Sequence, residues 1–204
     1  MTFADSKQRF STRAADYLRY RPRYPSGVRD ILRAECGLKS GHSIADIGSG
    51  TGLLSELFLK NGNRVFGVEP NEAMRQAGEE YLASYDSFMS VDGSAEATTL
   101  EDACVDFVTA GQSFHWFDQN AARREFVRIL KPGGWVVVIW NERLTNTTPF
   151  LRDYEALLYK FGTDYAQVKE SYPSEQHMLD FFGANAYSSH ALPNSQDFDF
   201  EGLA

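Results

Sequence analysis

The chain is expected to fold as an α/β protein, a doubly wound and mostly parallel sheet with helices on both faces. Three observations predict it. Strand-like apolar runs alternate with helix-like ones along the chain. A glycine-rich turn, Asp46-Ile47-Gly48-Ser49-Gly50-Thr51-Gly52, lies between one strand-like run and the helix-like run after it. An acidic residue, Glu69, then closes the next strand-like run.

The elements follow in order. About Phe10 to Leu18 reads as helical, and Pro22 and Pro25 break it. A short helix follows to about Cys36. The strands are read at Ser43–Gly48, Arg64–Glu69, Phe88–Gly93, Val105–Gly111 and Trp135–Glu142. The helices between them are read at Leu53–Asn61, Asn71–Ser84 and Asn120–Leu130. Val105-Asp106-Phe107-Val108-Thr109 and Trp135-Val136-Val137-Val138-Ile139-Trp140 are rich in β-branched residues, as central strands are. Lys131-Pro132-Gly133-Gly134 reads as the turn that ends a helix and enters the fifth strand. Two further helices are read beyond Pro149, one through Phe161 and one over about Glu175 to Phe182. A sixth strand is placed within about Ala184 to Phe200.

The 204 residues suit one domain: a helical N-terminal lid over 1–42, a cofactor-binding core over 43–142, and C-terminal helices with a partial sheet edge over 143–204. With 43% hydrophobic and 14% aromatic residues the chain can bury a core. Its net charge of -8 repels phosphate backbones, so nucleic acid is not the expected partner. Cys36 and Cys104 have no metal-ligand spacing, no metal site is read, and two free thiols fit a reducing cytosol. The polar N-terminus is unlike a signal peptide, and the longest apolar run, Trp135 to Trp140, is too short to span a membrane.

The chemistry gathers at the glycine turn. Gly-x-Gly-x-Gly differs from the dinucleotide fingerprint, whose third glycine comes one residue later. Three glycines let backbone approach an adenosyl-type ligand without a Cβ in the way. Asp46 can accept hydrogen bonds from loop amides or from a cationic ammonium. Glu69 offers two carboxylate oxygens to two ribose hydroxyls. Pro70 follows it at the same edge. Asn71 suits a helix N-cap. Met74, one turn on, can lie against an adenine face, although taken alone it fits core packing better.

Residues Ile44 to Gly52, Glu69, Gly93-Ser94-Ala95-Glu96, Phe114-His115-Trp116-Phe117 and Leu130-Lys131-Pro132-Gly133-Gly134 occur in the order of the motifs of class I S-adenosylmethionine-dependent methyltransferases. The chain resembles that Rossmann-like family over roughly residues 10 to 142. The runs Gln112 to Asp118 and Tyr20-Arg21-Pro22-Arg23-Tyr24-Pro25 resemble in particular the small-molecule enzymes grouped with trans-aconitate methyltransferase. The resemblance implies that Gly48, Ser49 and Gly50 line the methionine and ribose parts of S-adenosylmethionine. It implies that Ser94, Ala95 and Glu96 meet the adenine edge; many members have aspartate where Ser94 stands. It places Gln112 beside the sulfonium and makes the N-terminal segment a lid.

Methyl transfer from a sulfonium is an in-line displacement, in which the protein chiefly aligns the groups and excludes water. An anionic carboxylate acceptor needs no general base, whereas a hydroxyl or amine does. His115 is the candidate base, because imidazole titrates near neutrality, and it follows the fourth strand on the ligand-binding edge. It could instead only shape the pocket. Arg21 could hold the cofactor's methionine carboxylate or an acidic substrate. Tyr17, Tyr24 and Trp116 are the candidate walls of the substrate pocket. His42, His177 and His190 are assigned no role.

Family members usually close the sheet with a sixth strand and an antiparallel seventh, and no candidate for the seventh is readable. The C-terminal part reads as cut short. That would leave an exposed edge able to pair with another chain, and a tail either poorly packed or in an intermolecular contact. The expected activity is methyl transfer to a small molecule, leaning toward a carboxylate. The alternatives are a non-catalytic S-adenosylmethionine-binding module and a nicotinamide-dependent oxidoreductase.

Overall fold

A computed structural model describes residues 18–162, 165, 174–184 and 186–198. The chain divides into two compact units. One runs through Ile139 and resumes at Ser189; the other is Trp140–Ser188. Most of the N-terminal helix expected over Phe10 to Leu18 lies outside the described residues, and 18–20 are helical.

The first unit carries a five-stranded, wholly parallel sheet. In chain order it comprises α1 (Gly27–Cys36), β1 (Ser43–Ile47), α2 (Leu53–Leu59), β2 (Arg64–Val68), α3 (Glu72–Tyr81) and β3 (Phe88–Val91). Then come β4 (Val105–Gly111), a 3-10 turn (Phe114–Trp116), α4 (Gln119–Ile129) and β5 (Leu130–Ile139). Sheet order is β3-β2-β1-β4-β5. The chain winds outward from β1 in one direction, then restarts at β4 in the other. Right-handed crossovers therefore put α2 and α3 on one face and α4 on the opposite one. The reversal between β1 and β4 opens the crevice where such folds bind ligands.

Register sets which side chains meet which layer. Ile44 pairs with Phe107, and Asp46 with Thr109. Those four residues share a face. Ile44 and Phe107 join Val28 and Leu32 of α1 and Leu54, Leu57 and Phe58 of α2 in one buried cluster. α4 buries Ala122, Phe126 and Ile129.

Helix ends follow local chemistry. Gly37 ends α1 at φ 66, donating its N–H to Leu32 O. The side chain of Asn71 caps α3, accepting from Met74 N as expected, and Asp118 caps α4 by accepting from Ala121 N. Lys131 to Gly134 does not stand as a turn outside the strand. β5 begins at Leu130, and the four residues bulge opposite Asp106, between the pairs Val105–Leu130 and Phe107–Trp135. Gly133 takes φ 79 there, and Lys131 Nζ reaches Asp106 Oδ2 at 2.9 Å.

In the second unit, α5 (Pro149–Phe161) and α6 (Glu175–Phe182) form where the sequence places them. Thr148 caps α5, and Ser174 with His177 forms a capping box on α6. His177 thus has a structural role that the sequence reading did not assign. The expected sixth strand is absent from described residues 186–198. That segment is largely exposed and carries Pro193. From Ser189 on it belongs to the first unit, and within that unit side-chain amides, not a backbone ladder, join it to the N-terminal segment: Asn194 donates to Arg23 O and Gln196 to Tyr20 O, both at 2.8 Å.

One buried polar device ties the layers of the first unit. Asp46, 1% exposed, accepts from Ser55 Oγ of α2 at 2.6 Å and from Thr109 Oγ1 of β4 at 3.1 Å. The carboxylate therefore pins β1, α2 and β4 together. Burial pushes its pKa up to about 6 against the hydrogen bonds from the Ser55 and Thr109 side chains and the Ser55 backbone, and the charge of Glu69 adds to the rise.

Two outcomes follow. Phe58 is fully buried, so Phe58→Ala should cost about 3–5 kcal/mol in urea unfolding, and a loss under 1 kcal/mol would contradict the packing described. Asp46 binds its proton more tightly when folded than when unfolded. Its contribution to stability is full below its ordinary value of 3.8 and is lost as pH rises through about 6, a swing on the order of 3 kcal/mol. Asp46→Asn should flatten that part of the stability–pH curve. An unchanged curve in the variant would assign the slope to other groups.

Candidate functional site

The site is built on the carboxyl edge of the sheet, around the loop joining β1 to α2. Gly48, Gly50 and Gly52 have φ of 66, 55 and 83, which side-chain-bearing residues rarely adopt. Space excludes a side chain as well. A Cβ on Gly48 would lie 2.6 Å from Ser113 Cβ, and one on Gly52 would lie 2.5 Å from Leu82 Cδ1. The loop is stitched to β2 by Gly48 N–H and Ser49 N–H, which donate to Val68 O at 2.8 and 3.2 Å.

Glu69 immediately follows β2 and is 8% exposed. Its Oε2 accepts from Gly50 N–H at 2.9 Å, and its Oε1 accepts from Asn71 N–H at 2.8 Å. One carboxylate thereby fixes both the glycine loop and the start of α3. Pro70 is half-buried between Glu69 and the capping Asn71. Met74 is buried, with its Cε 3.3 Å from where a Gly50 Cβ would stand. The structure thus lays Met74 on the loop.

Asp46 lies just behind that loop, but its hydrogen bonds come from Ser55 and Thr109 and not from the glycine amides. The reason is position: Asp46 is still within β1 and faces α2. Beyond β3, Ser94 and Ala97 bond to each other through their backbones, forming a tight turn with Ala95 buried. Glu96 accepts from Asp118 N–H at 2.9 Å and so joins this turn to the start of α4.

On the other side of the crevice, β4 ends at Gly111. Gln112 takes φ 59, a strained value for a non-glycine residue, and donates its N–H to Ile139 O at 3.0 Å. Ser113 Oγ donates to Ile47 O at 2.7 Å, across the gap where β1 and β4 have ceased to pair. His115 and Trp116 follow with ring centroids 4.6 Å apart.

Burial, and secondarily the charge of Arg21, pushes the His115 pKa down to about 4. The imidazole is therefore neutral near pH 7 and does not titrate there as the sequence suggested. Its half-buried setting, invisible in sequence, is the cause.

The N-terminal segment reaches this side. Tyr24 Oη would be 2.5 Å from a Cβ on Gly111, so only glycine admits the ring there. Arg21 is exposed and close enough for its charge to bear on His115. Arg23 is committed elsewhere: it hydrogen-bonds Tyr81, lies over that ring at 5.1 Å and pairs with Glu56 at 3.7 Å. Tyr17 lies outside the described residues. Ser55, Thr109, Ser113 and Arg75 belong to this region and were missed from sequence. Thr109, a hydroxyl inside an apolar central strand, was the one readable signal among them.

Comparison with known proteins agrees with this fold. Residues 45–138 match the family model described as a methyltransferase domain. An uncharacterized methyltransferase of Schizosaccharomyces pombe is 36% identical over 158 residues, which cover 74% of this chain and 59% of the relative. Demethylmenaquinone methyltransferase of Staphylococcus aureus is 33% identical over 154 residues, covering 71% and 63%. The chain thus spans less than two thirds of the length of these curated relatives.

Among solved structures, a protein of Methanococcus maripaludis assigned as an S-adenosyl-L-methionine-dependent methyltransferase superposes with a TM-score of 0.61 at 23% identity, covering 88% of this chain and 79% of that one. One from Anaeromyxobacter dehalogenans, assigned as a type II methyltransferase, gives 0.58 at 28% identity, with 69% and 59% covered. The ordered motifs, the five-strand topology and these matches agree: residues 45–138 form a methyltransferase domain, on the Rossmann-like fold of S-adenosylmethionine-dependent methyltransferases.

Proposed function

We propose that the chain binds S-adenosylmethionine at the carboxyl edge of β1, β2 and β3 and transfers its methyl group to a small-molecule acceptor bound beside β4. The observation that carries the reading is Glu69. Its carboxylate is locked by two backbone amides, at 2.9 and 2.8 Å, next to three glycines whose positive φ side-chain-bearing residues rarely adopt. On this reading Gly48, Ser49 and Gly50 line the methionine and ribose, Glu69 takes the ribose hydroxyls, and Pro70 and Met74 flank the nucleoside. Ser94, Ala95 and Glu96 meet the adenine edge, Asp46 supports the loop from behind, and Arg21 and Gln112 lie toward the methionine end. The residues present fit the cofactor, because the loop offers bare backbone where a nucleoside must approach closely. The bound cofactor supplies an electrophilic methyl group; the chain's own work is to orient the acceptor and keep water out.

The acceptor side is read from Tyr24, His115 and Trp116, with Tyr17 a further candidate from the sequence. A neutral imidazole whose pKa is near 4 is a weak base. That favours an acceptor already nucleophilic at neutral pH, such as a carboxylate, over a phenol or ammonium that must first lose a proton. The likeness to trans-aconitate-type enzymes points the same way. Among the described residues no helix is long and apolar enough to cross a membrane. A cytoplasmic setting belongs to this proposal.

Calorimetric titration with S-adenosylhomocysteine should give saturable 1:1 binding. Glu69→Ala should weaken it at least tenfold, corresponding to about 1.4 kcal/mol or more. Binding of NAD without binding of S-adenosylhomocysteine would overturn the proposal. Transfer of labelled methyl to a panel of carboxylic acids, phenols and amines should favour a carboxylic acid. With that acceptor, the rate should show no limb near pH 6.5, because His115 is already neutral above about 4. A limb near 6.5 that disappears in His115→Gln would restore the imidazole as a titrating base.

A further inference from the structure

Arg75 lies on the first turns of α3 and has no part in the motifs read from the sequence. Its side chain is 17% exposed. Nη1 donates to the backbone carbonyl of Glu69 at 2.9 Å and also to Asp92 Oδ1 at 3.2 Å. The two partners end neighbouring strands. Glu69 follows β2, and Asp92 follows β3 and precedes Gly93-Ser94. Past the ladder proper, one backbone bond continues between the strands, Glu69 N–H to Val91 O at 3.1 Å. Beyond that bond β2 turns into α3 and β3 turns into the Ser94–Ala97 bend. Arg75 spans the point where the two chains part.

The consequence concerns geometry at the ligand edge. The Glu69 side chain is fixed by the Gly50 and Asn71 amides, and its main chain is fixed by Arg75. The same guanidinium fixes the residue that leads into Gly93–Glu96. We infer that Arg75 is a positioning residue for the nucleoside half of the cofactor. It sets the spacing between the ribose-holding carboxylate and the adenine-edge turn while touching neither ribose nor base. The inference rests on the cofactor placement proposed above. The two bonds use one nitrogen, so a lysine ammonium, with three donors at a similar reach, can reproduce them. A methionine, with a stem but no donor, cannot.

The test uses S-adenosylhomocysteine and 5′-methylthioadenosine, which share the nucleoside and differ in the amino-acid portion. Arg75→Met should raise the dissociation constant of both by the same factor, about five- to tenfold, with a thermal midpoint within a few degrees of the parent. Arg75→Lys should recover most of the loss. Asp92→Ala, at a side chain 73% exposed, should fold as the parent does and weaken both ligands two- to threefold. Parent-like affinity in Arg75→Met and Asp92→Ala, with the parent chain binding normally, would overturn the inference. So would a loss confined to S-adenosylhomocysteine, or an equal loss in Arg75→Lys. Should Arg75→Met fail to fold, Arg75→Lys and Asp92→Ala still decide it. Failure of the parent chain to bind either ligand would instead remove the proposed function.

Discussion

The arrangement depends on one carboxylate gripping backbone. Glu69 joins the third residue of the glycine loop to the second residue after itself, so the ends of β1 and β2 and the start of α3 become one unit. Charge-assisted bonds from amides are roughly twice as strong as neutral ones. They also carry no side-chain entropy on the donor side. The loop residues occupy left-handed conformations, which an unsupported glycine chain would leave freely. The two amide bonds supply the support. The close approach of Gly78 to Gly50 O, 3.2 Å from the position of a Cβ, allows α3 to lie flat against the result.

Behind that unit stands a less favourable element. Asp46 is buried with two hydroxyl donors and no cation among the groups that shift its pKa. A carboxylate desolvated in this way favours its neutral form, and the negative charge of Glu69 adds to the penalty. A simple apolar residue would pack without that cost. What the aspartate provides is direction: it fixes the end of β1 against both α2 and β4, the two elements that flank the crevice. Ser113 then spans the crevice itself, onto Ile47 O. The glycine loop and the Gln112–Trp116 turn thus keep a fixed separation, as the proposed in-line transfer requires.

Much of the frame was legible because its signals are local. Alternating apolar runs located all five strands, β4 from end to end, and Asn71 announced its own cap. The glycine spacing, Glu69 and the later motifs identified the cofactor class. The remainder depended on contacts between distant residues. Arg75 reads as an ordinary exposed cation until Asp92 is seen beside the Glu69 carbonyl. Gln112 gives no hint of its positive φ. The depressed His115 comes from burial, which a lone histidine in sequence does not reveal. The sixth strand, expected within about Ala184 to Phe200, is not seen in described residues 186–198, because nothing local in the sequence shows that side-chain amides there bind the N-terminal segment.

The electrostatics of the crevice bear on the acceptor. In a chain of net charge -8, Arg21 lies close enough to act on His115; on the proposed placement these two stand on the acceptor side, and the carboxylates of Glu69 and Asp46 stand on the donor side. A sulfonium brought to the donor side is drawn by negative charge behind it. On the proposed placement, an anionic acceptor arriving from the other side meets the positive potential that also bears on His115. As methyl passes between them, both charges vanish, and the change is most favourable where water is excluded. A neutral amine or phenol would gain nothing from Arg21 and would require a base stronger than this His115. If the proposed placement holds, the field across the crevice favours the same acceptor class as the proton-transfer argument, and it does so through different groups.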